Sequence, residues 1–129
     1  MIRSLGSSGE GVGTTLEGKT LFIEGALPGE RVSYAPLCEK KRYAQGRLLQ
    51  IIEASPHRVQ PPCPFFDACG GCQLQHLAYE AQLAAKRQRI VDALQRIAKL
   101  DVDVAACYPS PMPLHYRNKI QLPHHHGMI

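Results

Sequence analysis

No apolar run in the sequence is long enough to cross a bilayer, although 44% of the residues are hydrophobic, so a soluble protein without a membrane span is expected. No apolar signal segment follows Met1-Ile2-Arg3, and the cysteine total of five is odd. Both facts weigh against a disulfide framework, and the expected compartment is cytoplasmic and reducing. Neither sign of charge dominates: the net charge is +4, and the basic excess is shared between the residues before and after Cys63. Such a balance points only weakly to nucleic acid. No glycine-rich strand-to-helix turn with a downstream acidic residue occurs, which excludes a dinucleotide-type cofactor fold within these residues. At 129 residues the chain can hold one small domain and part of another.

What is present is a cysteine run, Cys63-Pro-Phe-Phe-Asp-Ala-Cys69-Gly-Gly-Cys72. Three thiols so spaced converge readily on one metal centre, because Gly70-Gly71 lets the backbone fold tightly behind the sulfurs. His76 follows at a spacing that would complete a Cys3His zinc site, as in small RNA-binding fingers. Cys38 and Cys107 stand apart and read as idle thiols.

The stretch to about Glu53 has no helical period and reads as a β unit, with strands expected over 12–16, 19–24, 30–37 and 43–53. Pro28-Gly29 suits the centre of a type II turn. Val32 and Tyr34 alternate with Arg31 and Ser33, as in a half-buried strand, and Pro36 argues for an edge or a bulge. A small barrel is the natural closure for strands this short. Gly9-Glu10-Gly11-Val12-Gly13 lacks the flanking strand and helix of a phosphate loop and reads as flexible hairpin glycines.

Lys40-Lys41-Arg42-Tyr43 lies between two of these strands, where a hairpin tip would present cations to phosphates and one ring to an unpaired base. Arg3, Arg47 and Arg58 could extend that surface. Three prolines between Arg58 and Pro64 mark a linker. A helix follows from about Ala78 to Leu100, with Leu83, Ile90, Leu94 and Ile97 on one stripe that should pack a core, and with Asp92 and Arg96 as an i,i+4 pair. Residues 101–113 should be irregular, with prolines in alternation. Residues 116–122 resume a period of two, giving a strand with Arg117 and Lys119 on a basic face. His124-His125-His126 reads as a flexible end rather than a site.

With these elements in order, a family resemblance can be stated. Gly9-Glu10-Gly11-Val12-Gly13 and Gly25-Ala26-Leu27-Pro28-Gly29-Glu30-Arg31-Val32 resemble the TRAM domain of bacterial RNA uracil-5-methyltransferases. Cys63 to Cys72, continuing through Gln73-Leu74-Gln75-His76 and Tyr79-Glu80-Ala81-Gln82-Leu83, resembles the iron-sulfur segment of that family, and Tyr116-Arg117-Asn118-Lys119 resembles its next landmark.

The resemblance implies a β then α/β fragment in three parts. Residues 1–57 would form an RNA-binding, OB-like TRAM barrel. Residues 58–77 would be the linker and iron-sulfur motif. Residues 78–129 would hold the helix, a Pro-rich loop and the first strand of a truncated central region. It implies an S-adenosylmethionine-dependent enzyme that methylates C5 of a uracil in 23S ribosomal RNA. There a cysteine thiolate adds to C6, the activated C5 attacks the methyl group and a base removes the C5 proton. Those groups belong to a domain not expected in this chain, which should not be catalytic alone. A 4Fe-4S cluster would take Cys63, Cys69 and Cys72, with its fourth ligand beyond Ile129; His76 would serve only the zinc alternative. The partner would be ribosomal RNA and the chain a monomer. A non-enzymatic RNA-binding module with a zinc site is the other reading.

Overall fold

The computed structural model describes residues 1–119. Five strands form one mixed sheet: β1 (Ser4–Leu5), β2 (Gly11–Thr14), β3 (Thr20–Ile23), β4 (Arg31–Glu39) and β5 (Tyr43–Glu53). They are ordered β1-β2-β3-β5-β4, and every neighbouring pair is antiparallel except β3 and β5. The β5 limits coincide with the expectation, and β2, β3 and β4 fall within two residues of theirs at each end. The two-residue β1 was not anticipated, being too short to show a period of two.

Alternation along the strands separates two faces. Leu21, Ile23 and Ala44 point inward and meet Ile2 and Ala26, with Val32, Tyr34 and Leu48 packed around them. Burying a side chain such as Ile23 contributes about 2 kcal/mol. Pro28-Gly29 forms the expected type II turn: Gly29 has φ +86°, and the Glu30 amide donates to the Leu27 carbonyl at 3.2 Å. Pro36 sits on β4, an edge strand, where the register shifts between Pro36 and Cys38, so the ring costs no central ladder bond.

The glycines of 9–13 are not a flexible hairpin. Only Gly9 lies in the turn after β1, while Gly11 and Gly13 are strand residues, and a Cβ on Gly11 would stand 2.6 Å from the Ala26 carbonyl oxygen. Close backbone approach, rather than mobility, requires glycine there.

Closure into a barrel is not carried by the ladder, whose edges are β1 and β4. The gap is spanned locally by Ile2, whose amide donates to the Glu30 carbonyl at 2.8 Å and whose carbonyl accepts from the Gly29 amide at 2.9 Å.

Two helices follow, α1 (Phe66–Cys69) and α2 (Tyr79–Ala93), the latter continuing into a π-helical turn over Leu94–Ala98 that ends at Lys99 with φ 58°. The Asp92 and Arg96 pair forms at 3.7 Å. The anticipated apolar stripe packs no core among the described residues. No α2 residue is buried, and Ile90 and Ile97 are 53% and 82% exposed. Of the stripe, Leu83 and Leu94 are partly covered, on a face they share with Arg87 and Val91. Alongside it runs the irregular segment after residue 100: Arg87 Nε donates to the Val104 carbonyl at 2.6 Å, and the Ser110 amide donates to the Tyr79 hydroxyl at 2.7 Å.

Residues 116–119 are exposed and form no strand, because no described strand offers them a ladder; Arg117 instead lies 6.0 Å from the Tyr116 ring. The rest of that expected strand and His124 to His126 lie outside the described residues. No helix among the described residues is long and apolar enough to cross a membrane.

Candidate functional site: a basic hairpin and a cysteine loop

The β4–β5 hairpin turns through Lys40, Lys41 and Arg42, closed by the Lys40 amide donating to the Tyr43 carbonyl at 2.8 Å. All three cations are exposed, as is Arg47 on the outer face of β5, and among the described residues none of the four makes an ion pair. The nearest acid on the hairpin, Glu39, is engaged by Lys19, which also pairs with Glu17 at 3.7 Å. The side-chain bond to Glu39 raises the Lys19 pKa, outweighing slight desolvation. The hairpin cations are therefore not neutralised by Glu39.

Tyr43, at the start of β5, is partly exposed and meets Phe22 edge-to-face, with ring centroids 6.0 Å apart and planes at 75°. Phe22 was not a candidate in the sequence, because its position depends on the parallel β3–β5 pairing, which sets Thr20 opposite Tyr43 and Phe22 opposite Gln45. Its outward alternation with Leu21 and Ile23 was the one local signal.

Two of the further arginines do not join this surface. Arg3 precedes β1, at the opposite edge of the ladder from β4. Arg58 points inward: its Nε donates to Glu30 Oε1 at 2.6 Å, and its Nη2 donates to Glu30 Oε2 at 2.9 Å and to the Gly25 carbonyl at 2.6 Å. Glu30 is fully buried and also accepts from the Leu27 amide at 2.8 Å and the Ser55 amide at 3.3 Å. Burial pushes the Glu30 carboxyl up, but the Arg58 guanidinium and the two amides outweigh it and hold the group below the ordinary carboxylate range. Arg117 and Lys119 lie on the irregular segment, outside the sheet.

Arg58 also forms an isolated β-bridge with Leu77, flanked by the Val59 amide donating to the His76 carbonyl at 3.0 Å and the Ala78 amide to the His57 carbonyl at 2.8 Å. This pairing closes residues 59–76 into a loop carrying all three clustered cysteines. Gln82 of α2 secures its far end, with Nε2 donating to the carbonyls of Leu74 at 3.1 Å and Leu77 at 2.8 Å.

Within the loop, the Cys63 amide donates to Gln75 Oε1 at 3.2 Å, and α1 is a single turn that stops at Gly70 in the left-handed region with φ 68°. A Cβ on Gly71 would lie 3.3 Å from Cys69 Sγ, so the backbone passes close behind that sulfur. All five cysteines are free thiols; Cys63 and Cys69 are half-buried and Cys72 is exposed. Three soft sulfur donors on one tight loop suit a metal cluster chemically, one donor short of the usual four. Among the described residues no group of three or more His, Cys, Asp or Glu side chains is gathered about one point.

His76 is 3% exposed, packs on the Phe66 ring at 5.1 Å, and has no hydrogen-bond partner for either ring nitrogen. Burial, then the Arg58 charge, lowers its pKa against the opposing pull of Glu30 and Asp67, so the imidazole is held neutral.

No protein-family model matches the chain. The chain is 46% identical over 122 residues to an uncharacterized RNA methyltransferase of Clostridium tetani, a match covering 95% of this chain and 26% of the relative. It is 48% identical over 123 residues to one of Halalkalibacterium halodurans, covering 95% and 27%, and 46% identical over 120 residues to one of Caldanaerobacter subterraneus, covering 93% and 26%. It is thus similar, along nearly its whole length, to a portion of proteins described as RNA methyltransferases. The chain spans about a quarter of the length of these curated relatives.

Proposed function

We propose that these residues are the RNA-docking and cluster-bearing portion of an S-adenosylmethionine-dependent methyltransferase acting on C5 of a uracil in 23S ribosomal RNA. The observation that carries the reading is the unneutralised cationic hairpin, Lys40 to Arg42 with Arg47, on a chain similar to RNA methyltransferases over 95% of its length. The hairpin and the partly exposed Tyr43 would meet the RNA backbone and an unpaired base. Arg117 and Lys119 would add cationic contacts from their exposed segment.

Cys63, Cys69 and Cys72 would hold three corners of a 4Fe-4S cluster, which would supply a structural tie between the linker and α2. Methyl transfer itself we assign to sequence outside these residues, since the chain spans only about a quarter of its relatives. One observation favours a second reading: the unpartnered nitrogens of buried His76 suit a Cys3His zinc site in an RNA-binding module without catalysis.

The first reading is tested by disrupting the gene in its own host and mapping 5-methyluridine in 23S RNA by mass spectrometry. Loss of the modification at one position supports it. An unchanged modification map contradicts it and leaves the module reading.

A further inference from the structure

We infer that the outer face of the sheet around Phe22 and Tyr43 is an edge-to-face aromatic corner that takes one unpaired base, making the docking partner single-stranded RNA rather than a duplex. The inference rests on the RNA-docking reading of the same hairpin and adds Phe22 to it.

Tyr43, Gln45 and Arg47 alternate outward along β5, while Ala44 and Gly46 are buried. The parallel register with β3 sets Phe22 opposite Gln45, on this outer face. The two rings meet at 75° with centroids 6.0 Å apart. A flat base stacked on one ring therefore abuts the other, a geometry that a base already stacked and paired within a helix cannot reach. Cations bracket the corner. Lys40 to Arg42 lie on one side along the chain, and Arg47 lies four residues beyond Tyr43, about 13 Å away at the rise of a strand. A strand crossing the corner would thus meet positive charge on both sides of the stacked base. Phe22 acts as a positioning residue: its contact fixes the tilt of the Tyr43 ring.

The test uses the 129-residue chain and two probes, an oligouridylate of about 12 nucleotides and a perfectly paired RNA duplex of the same length, followed by fluorescence anisotropy across a salt series. The wild type should bind the single strand at least tenfold more tightly. Tyr43→Ala should lose about fivefold to 150-fold on the single strand, the range for one stacked base, with an unchanged salt slope and little effect on the duplex. Phe22→Leu should lose severalfold, and Phe22→Tyr should restore binding. Equal loss on both probes, or no loss in either Tyr43→Ala or Phe22→Leu, overturns the corner while leaving RNA docking by the hairpin intact. If the wild type binds neither probe at low salt, the docking reading itself fails. Because Tyr43 is partly exposed, Tyr43→Ala decides the matter even if Phe22→Leu does not fold.

Discussion

Arg58 grips Glu30 with a two-pronged ion pair, Nε to Oε1 at 2.6 Å and Nη2 to Oε2 at 2.9 Å, and so fastens the base of the cysteine loop to the turn that opens β4. The Arg58 backbone bridges Leu77 while its side chain reaches the sheet, so one residue closes the loop and seats it.

Removing the cation should therefore leave a buried, uncompensated carboxylate. Arg58→Ala is expected to lower unfolding free energy by about 3–5 kcal/mol in urea titrations, and Arg58→Ala combined with Glu30→Gln by distinctly less. Additive losses would mean that the two groups do not depend on each other.

The same pair sets an acid limit. Because the folded-state pKa of Glu30 lies below its ordinary value, its stabilising contribution is complete above the unfolded carboxylate value, roughly pH 4, and is lost as pH falls through the depressed folded one. Melting temperatures between neutral and strongly acidic pH should fall more steeply below that point in the wild type than in Glu30→Gln. Parallel curves would contradict the assignment.

Gly29 and Gly11 should differ in how they resist alanine. At Gly29, φ is +86° with open space around the missing Cβ, so Gly29→Ala should cost about 1–2 kcal/mol of backbone strain alone. Gly11→Ala would drive its Cβ against the Ala26 backbone, and thermal unfolding should show the larger loss there.

Anaerobically purified protein should contain iron and acid-labile sulfide, which Cys63→Ser, Cys69→Ser or Cys72→Ser should diminish, whereas Cys38→Ser and Cys107→Ser should not. Colourless protein containing zinc that His76→Ala abolishes would favour the Cys3His alternative.

Local chemistry made much of the sheet legible: β5, the Pro28-Gly29 turn and the edge position of Pro36 each follow from a few adjacent residues. What escaped depended on distant partners. Glu30 and Arg58 are 28 residues apart, and both are charged residues that a linear reading sends to the surface. Phe22 gains its role only from parallel pairing with β5. Helical period alone does not say what covers a face: Leu83 and Leu94 of the stripe are partly covered, while Ile90 and Ile97 remain exposed among the described residues. The cysteine motif was legible as a loop, since Gly70 and Gly71 let the chain turn behind Cys69.

The most direct measurement is the salt dependence of binding to a single-stranded ribosomal RNA segment, wild type against the variant with Lys40, Lys41 and Arg42 all replaced by Ala. An RNA-docking hairpin requires affinity that falls steeply with salt in the wild type, and a slope of log affinity against log salt that is shallower by about 2 in the variant, at roughly 0.7 per lost phosphate contact. Identical slopes, or affinity indifferent to salt, would contradict it.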